Sequence, residues 1–127
     1  MVLGDAFNRK VVIDVYLPVL VYMAIIYALS CLHRVPLPLL DKHMADKLYH
    51  VAEYTILGYL SFRAFDKGFS WNRYHSLILG ILFATIYGIT DEFHQLHVPG
   101  RSFSYWDMLA DFIGASIGTL GYLRIRF

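Results

Sequence analysis

A chain of 127 residues that is 57% hydrophobic and 17% aromatic, with a mean hydropathy of +0.49, is too apolar for an ordinary soluble domain. Its formal net charge of +1 gives no case for nucleic acid or for a strongly acidic partner, and its one cysteine, Cys31, excludes an internal disulfide. The length fits a single domain over residues 1–127, without an internal repeat or a Gly/Ser-rich linker.

Residues 11–32 are the clearest predicted span, with Asp14 the only charge and that near its start. Its 22 residues reach roughly 33 Å at the helical rise, enough to cross a bilayer core. Pro18 is expected to kink this helix without ending it. Arg9 and Lys10 precede it as in a signal peptide, but the run is long for one and residues 28–31 fit a lipoprotein cleavage site poorly, so an uncleaved first helix is expected. A loop with Pro36 and Pro38 follows, and Asp46 is the expected N-cap of a second helix over 47–65. A polar turn at 66–74 carries Trp71 and Tyr74 as interfacial aromatics. The third helix is expected over 75–95 and the fourth over 104–123, where Gly114, Gly118 and Gly121 form a small-residue face suited to packing within the molecule. The expected fold is therefore all-α, a membrane bundle of four transmembrane helices.

An even number of spans puts both termini on one side. Seven Lys and Arg (9, 10, 63, 67, 73, 124, 126) fall on that side and four (34, 42, 47, 101) on the other, so the positive-inside bias predicts an N-in/C-in topology. His33, His43, His50, His94 and His97 sort outward, as do Asp41, Asp46, Glu53, Asp91, Glu92, Asp107 and Asp111; Asp5, Asp14, Asp66 and His75 sort inward. Counted along the helices, Glu53 comes out roughly 15 Å from the inner edge and His50, Asp91 and Asp111 roughly 20 to 24 Å. Ionisable groups at such depth are expected to face one another or a pocket, here one opening to the outer leaflet.

Asp46, His50 and Glu53 are spaced i, i+4, i+7 and share a helix face, with Lys47 and Tyr54 on the neighbouring stripe. Asp91 shares a face with His94 and Gln95, with Glu92 beside it, and Asp107 and Asp111 are one turn apart. Such a set can act as acid and base or hold a divalent metal, while Lys47 and Arg101 clamp a phosphate. His50, Glu53, Asp91, Glu92 and Asp107 are the candidate catalytic groups. Lys47, Tyr54, Gln95, Arg101 and Asp111 are the candidate substrate-binding ones, and His50, Glu53, Asp91 and His94 the candidate metal ligands. The competing reading is a buried ion-pair network that only holds helices together, a costly staple for this many charges. Cys31 is expected to serve packing, and Trp71 and His75 to anchor the interface.

Two motifs resemble the VanZ-like family of small bacterial membrane proteins: Asp46-Lys47-x-x-His50-x-x-Glu53-Tyr54-x-x-Leu57-Gly58, and Asp91-Glu92-x-His94-Gln95-x-x-x-Pro99-Gly100-Arg101, continuing Asp107-x-x-x-Asp111-x-x-Gly114-x-x-x-Gly118. Asp111 stands where Asn is also common, and His97 where an aromatic is frequent. The resemblance implies a multi-pass protein of the bacterial inner membrane, whose name-giving member lowers susceptibility to the glycopeptide teicoplanin; it supplies no reaction. Three functions compete: hydrolysis or transfer at the phosphate of an envelope lipid or lipid-linked cell-wall precursor; recognition of such a lipid, or of a partner protein, without chemistry; and a proton or ion path along Glu53, His50 and Asp91. The last is disfavoured, because residues 77–90 and 114–123 offer no relay through the inner half.

Overall fold

The structure, a computed structural model, describes residues 7–32, 38–69 and 71–126; Asp5, His33, Arg34 and Pro36, whose sides and loop were expected from sequence, lie outside the described residues. Four long helices run up and down among the described residues. Helix α1 spans Arg9–Ser30, α2 Lys42–Arg63, α3 Arg73–Gln95 and α4 Tyr105–Arg126.

Helix α1 begins with a turn of ordinary helix, widens over Val12–Tyr16 and tightens again over Leu17–Ser30, with Pro18 at the start of the last segment. Proline has no N–H to give to the carbonyl four residues earlier, which is that of Asp14. Arg63 fills the vacancy from α2, its Nη1 donating to the Asp14 carbonyl at 2.6 Å. The expected kink is thus a widened turn held by a neighbouring cation.

Helix α2 starts five residues earlier than its sequence pattern predicts. Its N-cap is Asp41, whose carboxylate accepts the Met44 N–H at 2.7 Å, so Asp46 is released from capping and sits on the helix proper. At its far end α2 continues into a wide turn over Ala64–Gly68. Asn72 caps α3 by accepting the Tyr74 N–H at 2.9 Å.

The most extensive interface joins α2 to α4, which run parallel, and small residues make it. A side chain at Gly118 would run into the Thr55 carbonyl, one at Gly58 into the Ala115 backbone, and one at Gly114 would come 2.5 Å from the Val51 carbonyl. This is the intramolecular packing expected of the glycine face, except that Gly121 meets nothing within 4 Å and does not belong to it. Helix α3 packs on α2 through Gly80, against the Phe62 backbone, and on α4 through Gly88, against the Asp111 side chain. Helix α1 lies at the periphery and is attached by long-range hydrogen bonds, among them Tyr22 Oη to the Glu53 carbonyl and Tyr87 Oη to the Met23 carbonyl.

The distribution of polarity is inside out. Leu20, Val21, Ile56, Ile78, Ile86, Ile117 and Leu120 are exposed, whereas His50, Glu53, Asp91, Glu92, Asp107 and Asp111 are buried. Water would reverse this arrangement and a lipid environment favours it. Arg9–Ser30 and Arg73–Gln95 are long and apolar enough to cross a membrane; α2 and α4 match them in length but carry the site's charges.

Candidate functional site

Among the described residues, the buried histidine and the buried acids other than Glu53 lie near one end of the bundle, opposite the termini. Three helices deliver them. Helix α2 brings Asp46 and His50 from its first turns, α3 brings Asp91 and Glu92 from its last turn, and α4 brings Asp107 and Asp111 from its first two. The glycine contacts set this register: Gly88 leaves the room that the Asp111 carboxylate occupies, and Gly114 and Gly118 hold α4 against α2 just below it.

His50 is the centre. Its ring is fully buried, and Nδ1 lies 2.7 Å from Asp111 Oδ1. With Asp111 ionised, and therefore only accepting, the proton of a neutral ring sits on Nδ1 and Nε2 faces the other side. There Nε2 faces Asp46 Oδ2 at 3.8 Å, Glu92 Oε1 at 3.7 Å and Asp107 Oδ2 at 3.7 Å. None of the three is a hydrogen bond, and both Nε2 and Glu92 Oε1 are buried without a hydrogen-bond partner among the described residues. The other Glu92 oxygen, Oε2, accepts the Ser104 N–H at 3.0 Å and so holds the chain where α4 is about to begin.

Two cations sit at the rim. Lys47 Nζ is 3.4 Å from Asp107 Oδ1, with about a third of its side chain exposed. Arg101 is nearly buried; its Nη2 lies 3.6 Å from Asp46 Oδ1 and its Nη1 donates to the Leu32 carbonyl at 2.8 Å. The expected fork over the site is therefore anchored to the end of α1 and to Asp46. Tyr54 and Gln95 are fully buried: the Tyr54 ring lies nearly parallel to that of His50, centroids 6.4 Å apart, and Gln95 Nε2 donates to Asp91 Oδ2 at 3.4 Å. The open side of the site is formed by Asp46 and Lys47.

The structure brings together His50, Glu92, Asp107, Asp111, Lys47 and Arg101. It adds Asp46, which the sequence pattern assigns to capping although its i, i+4 spacing to His50 is visible there. Two three-donor sets have atoms close enough to share a metal ion: Asp46, His50 and Asp107, and His50, Glu92 and Asp111. Glu53 and Asp91 are buried beside these sets but belong to neither, and His94 turns away. His94 Nε2 lies 3.3 Å from Cys31 Sγ, with its ring 4.6 Å from that of Tyr27, because α3 presents that face to α1. Cys31, expected to serve packing, is exposed and meets the His94 ring.

Comparison with curated proteins and with solved structures returns no match. Residues 9–126 match the family described as VanZ/LLP1, which covers all four helices and every residue of the site. With a buried histidine and acidic cluster inside an apolar exterior, the chain belongs to the VanZ/LLP1 family of membrane proteins.

Proposed function

We propose that this protein crosses the bacterial inner membrane four times, with both termini in the cytoplasm. On this reading the polar end of the bundle binds the anionic head group of an envelope lipid or lipid-linked cell-wall precursor at the outer leaflet. The observation that carries it is the position of Lys47: a partly exposed ammonium that, with Asp46, forms the open side of a set in which His50, Glu92, Asp107 and Asp111 are buried. A cation there attracts a phosphate, while the groups behind it supply what hydrolysis or transfer at that phosphate requires. Water or an acceptor hydroxyl attacks phosphorus, the bond from phosphorus to the lipid oxygen breaks, and the proton lost by the nucleophile is returned to the departing oxygen. His50, Glu92 and Asp107 are the groups placed to handle that proton or to hold a metal that assists. A lower susceptibility to teicoplanin belongs to the same proposal.

The purified chain in lipid nanodiscs is expected to release phosphate from a prenyl phosphate, or the phosphorylated head group from a phospholipid, or to transfer that group to an acceptor. No turnover and no binding of either lipid would remove this function. Reporters fused at position 127 and within residues 96–104 are expected to report opposite sides of the membrane; a cytoplasmic 96–104 loop would remove the outer-leaflet placement.

One observation favours recognition without chemistry. Lys47 and Arg101 are already engaged by Asp107 and Asp46, so the network neutralises part of itself. In that case Glu92→Gln weakens lipid binding in a graded way, whereas loss of turnover with binding intact marks an enzyme.

A further inference from the structure

Four carboxylates, from Asp46, Glu92, Asp107 and Asp111, surround His50, and two cations, Lys47 and Arg101, face them. With all six charged and the imidazole neutral, this ring carries two uncompensated negative charges. In a buried, low-dielectric setting that excess is strongly unfavourable. The imidazole sharpens the problem. Its Nδ1 proton is committed to Asp111 at 2.7 Å, so in the neutral ring the Nε2 lone pair points at three carboxylate oxygens 3.7 to 3.8 Å away. Lone pairs converge there on a gap.

A proton in the gap would make an imidazolium, and a charge-assisted N–H···O bond draws its partners to about 2.7–2.9 Å. Nε2 instead stands nearly equidistant from three oxygens and bonded to none. A metal ion predicts this spacing better. Bonds of about 2.0–2.2 Å to imidazole nitrogen and carboxylate oxygen put neighbouring ligand atoms roughly 3.4 Å apart in a tetrahedron, within a few tenths of an ångström of the Nε2 separations from Asp46 Oδ2 and Asp107 Oδ2 here. We infer that Asp46 Oδ2, His50 Nε2 and Asp107 Oδ2 form a divalent metal site, with Asp111 as the outer carboxylate that orients His50 through Nδ1.

The parts agree with the way metal centres are built. A ligating histidine ordinarily donates its second nitrogen to a carboxylate, fixing tautomer and ring orientation. Three protein ligands leave at least one position for water or a phosphate oxygen, as in catalytic rather than structural sites. Asp46 is the ligand on the open side, with Lys47 beside it, so that position faces the rim of the pocket. One imidazole with two carboxylates suits Mn²⁺ or Zn²⁺ better than a soft metal. Glu92 Oε1, 3.7 Å from the same nitrogen and without a hydrogen-bond partner, is placed to accept a proton from a molecule bound at the open position. The metal site deepens the proposed function by deciding what fills the gap, yet it rests on donor geometry and not on a lipid being the substrate.

The test uses the full chain in a phosphate-free maltoside detergent, stripped with a chelator and titrated with Mn²⁺ under electron paramagnetic resonance. The expected result is about one bound ion per chain, with nitrogen coupling in the pulsed spectrum that changes when the protein is made with ¹⁵N-histidine. His50→Ala is expected to abolish that coupling. Asp46→Asn and Asp107→Asn should each weaken binding, and Asp111→Asn should keep the coupling while weakening affinity about 10- to 100-fold. His94→Ala should change nothing, since its ring lies against Cys31 and Tyr27. Bound Mn²⁺ without nitrogen coupling, or no binding at all to the wild-type chain, overturns the site. The isotope experiment needs no variant, so it decides between these outcomes even where a substitution fails to fold. No lipid phosphate is present, so a negative result here and a negative result in nanodiscs condemn different claims.

Discussion

At the end of the bundle that carries residues 96–104, polar side chains are drawn inward and fixed to one another. At the opposite end, near the termini, a cavity of about 310 Å³ is lined almost wholly by apolar and aromatic groups, including Tyr16, Val19, Phe65, Phe69 and Phe83. Both ends depart from regular helix packing: the first through buried charge, the second through the wide turns at Val12–Tyr16 and Ala64–Gly68. The physical difference lies in tolerance. Aromatic rings around a void can shift at small cost because dispersion is non-directional. A carboxylate 2.7 Å from a buried imidazole nitrogen cannot shift without exposing two unsatisfied groups. One end is therefore adapted to hold specific atoms in place, and the other to fill space.

The largest contrast should come from His50→Ala. Removing the ring leaves the buried Asp111 carboxylate without its partner and should cost about 3–5 kcal/mol in thermal unfolding in detergent. Phe69→Leu at the other end should cost under about 1.5 kcal/mol. Equal costs would erase the distinction between the two ends. Gly88→Ala comes next. A methyl group there would stand 2.6 Å from Asp111 Oδ2, and relief requires moving a carboxylate that His50 holds, so about 1–3 kcal/mol and weaker metal binding are expected. Gly68→Ala is the matched change, where the atoms nearest the methyl group are the outer atoms of the Tyr16 side chain, and it should be milder. Lys47→Ala should cost about 1–3 kcal/mol, because it leaves the buried Asp107 carboxylate without its cation, while reducing retention on vesicles rich in anionic lipid. The smallest effect should be at Ser61, whose buried Oγ lacks a hydrogen-bond partner among the described residues and lies beside the apolar cavity. Ser61→Ala should be neutral or stabilise by up to about 1 kcal/mol.

Much of this layout could be read from residue types and spacing. The four helical segments followed from apolar runs, the separation of the ends from the charges between them, and the grouping of His50, Glu92, Asp107 and Asp111 from carboxylates on facing helices. What could not be read was rotation and start. Asp41 and Asp46 are both acceptable caps, and the polar run between them hides the fact that the helix begins at the earlier one. That choice decides whether Asp46 is an end group or a ligand. Glu53 shares the face of Asp46 and His50 by count, yet it lies a turn deeper, outside both sets of donors that meet at His50. His94 sits beside the motif in sequence, but the register set by the glycine contacts of α3 turns it to α1. Small residues carry little signal in a hydropathy profile, and here they settle which side chains meet.

The attachment of α1 has a consequence for how this chain can change over time. Three donors from other parts of the molecule land on it or just past its end: Arg63 on the carbonyl of residue 14, Tyr87 on that of residue 23 and Arg101 on that of residue 32, two residues beyond Ser30. Every one of these acceptors is main chain, and they are spaced nine residues apart from the first turns of the helix to just beyond its last. These three partners grip the α1 segment by atoms that every amino acid possesses, and Tyr22 adds one bond from the helix's own side chain. Its outward side chains are left for the surrounding lipid to select, and the proline that frees the lowest acceptor is the residue whose replacement would be felt. Drift among the outward side chains of this helix, set against constancy at Pro18, Tyr22, Arg63, Tyr87 and Arg101, is the evolutionary signature such a grip would leave.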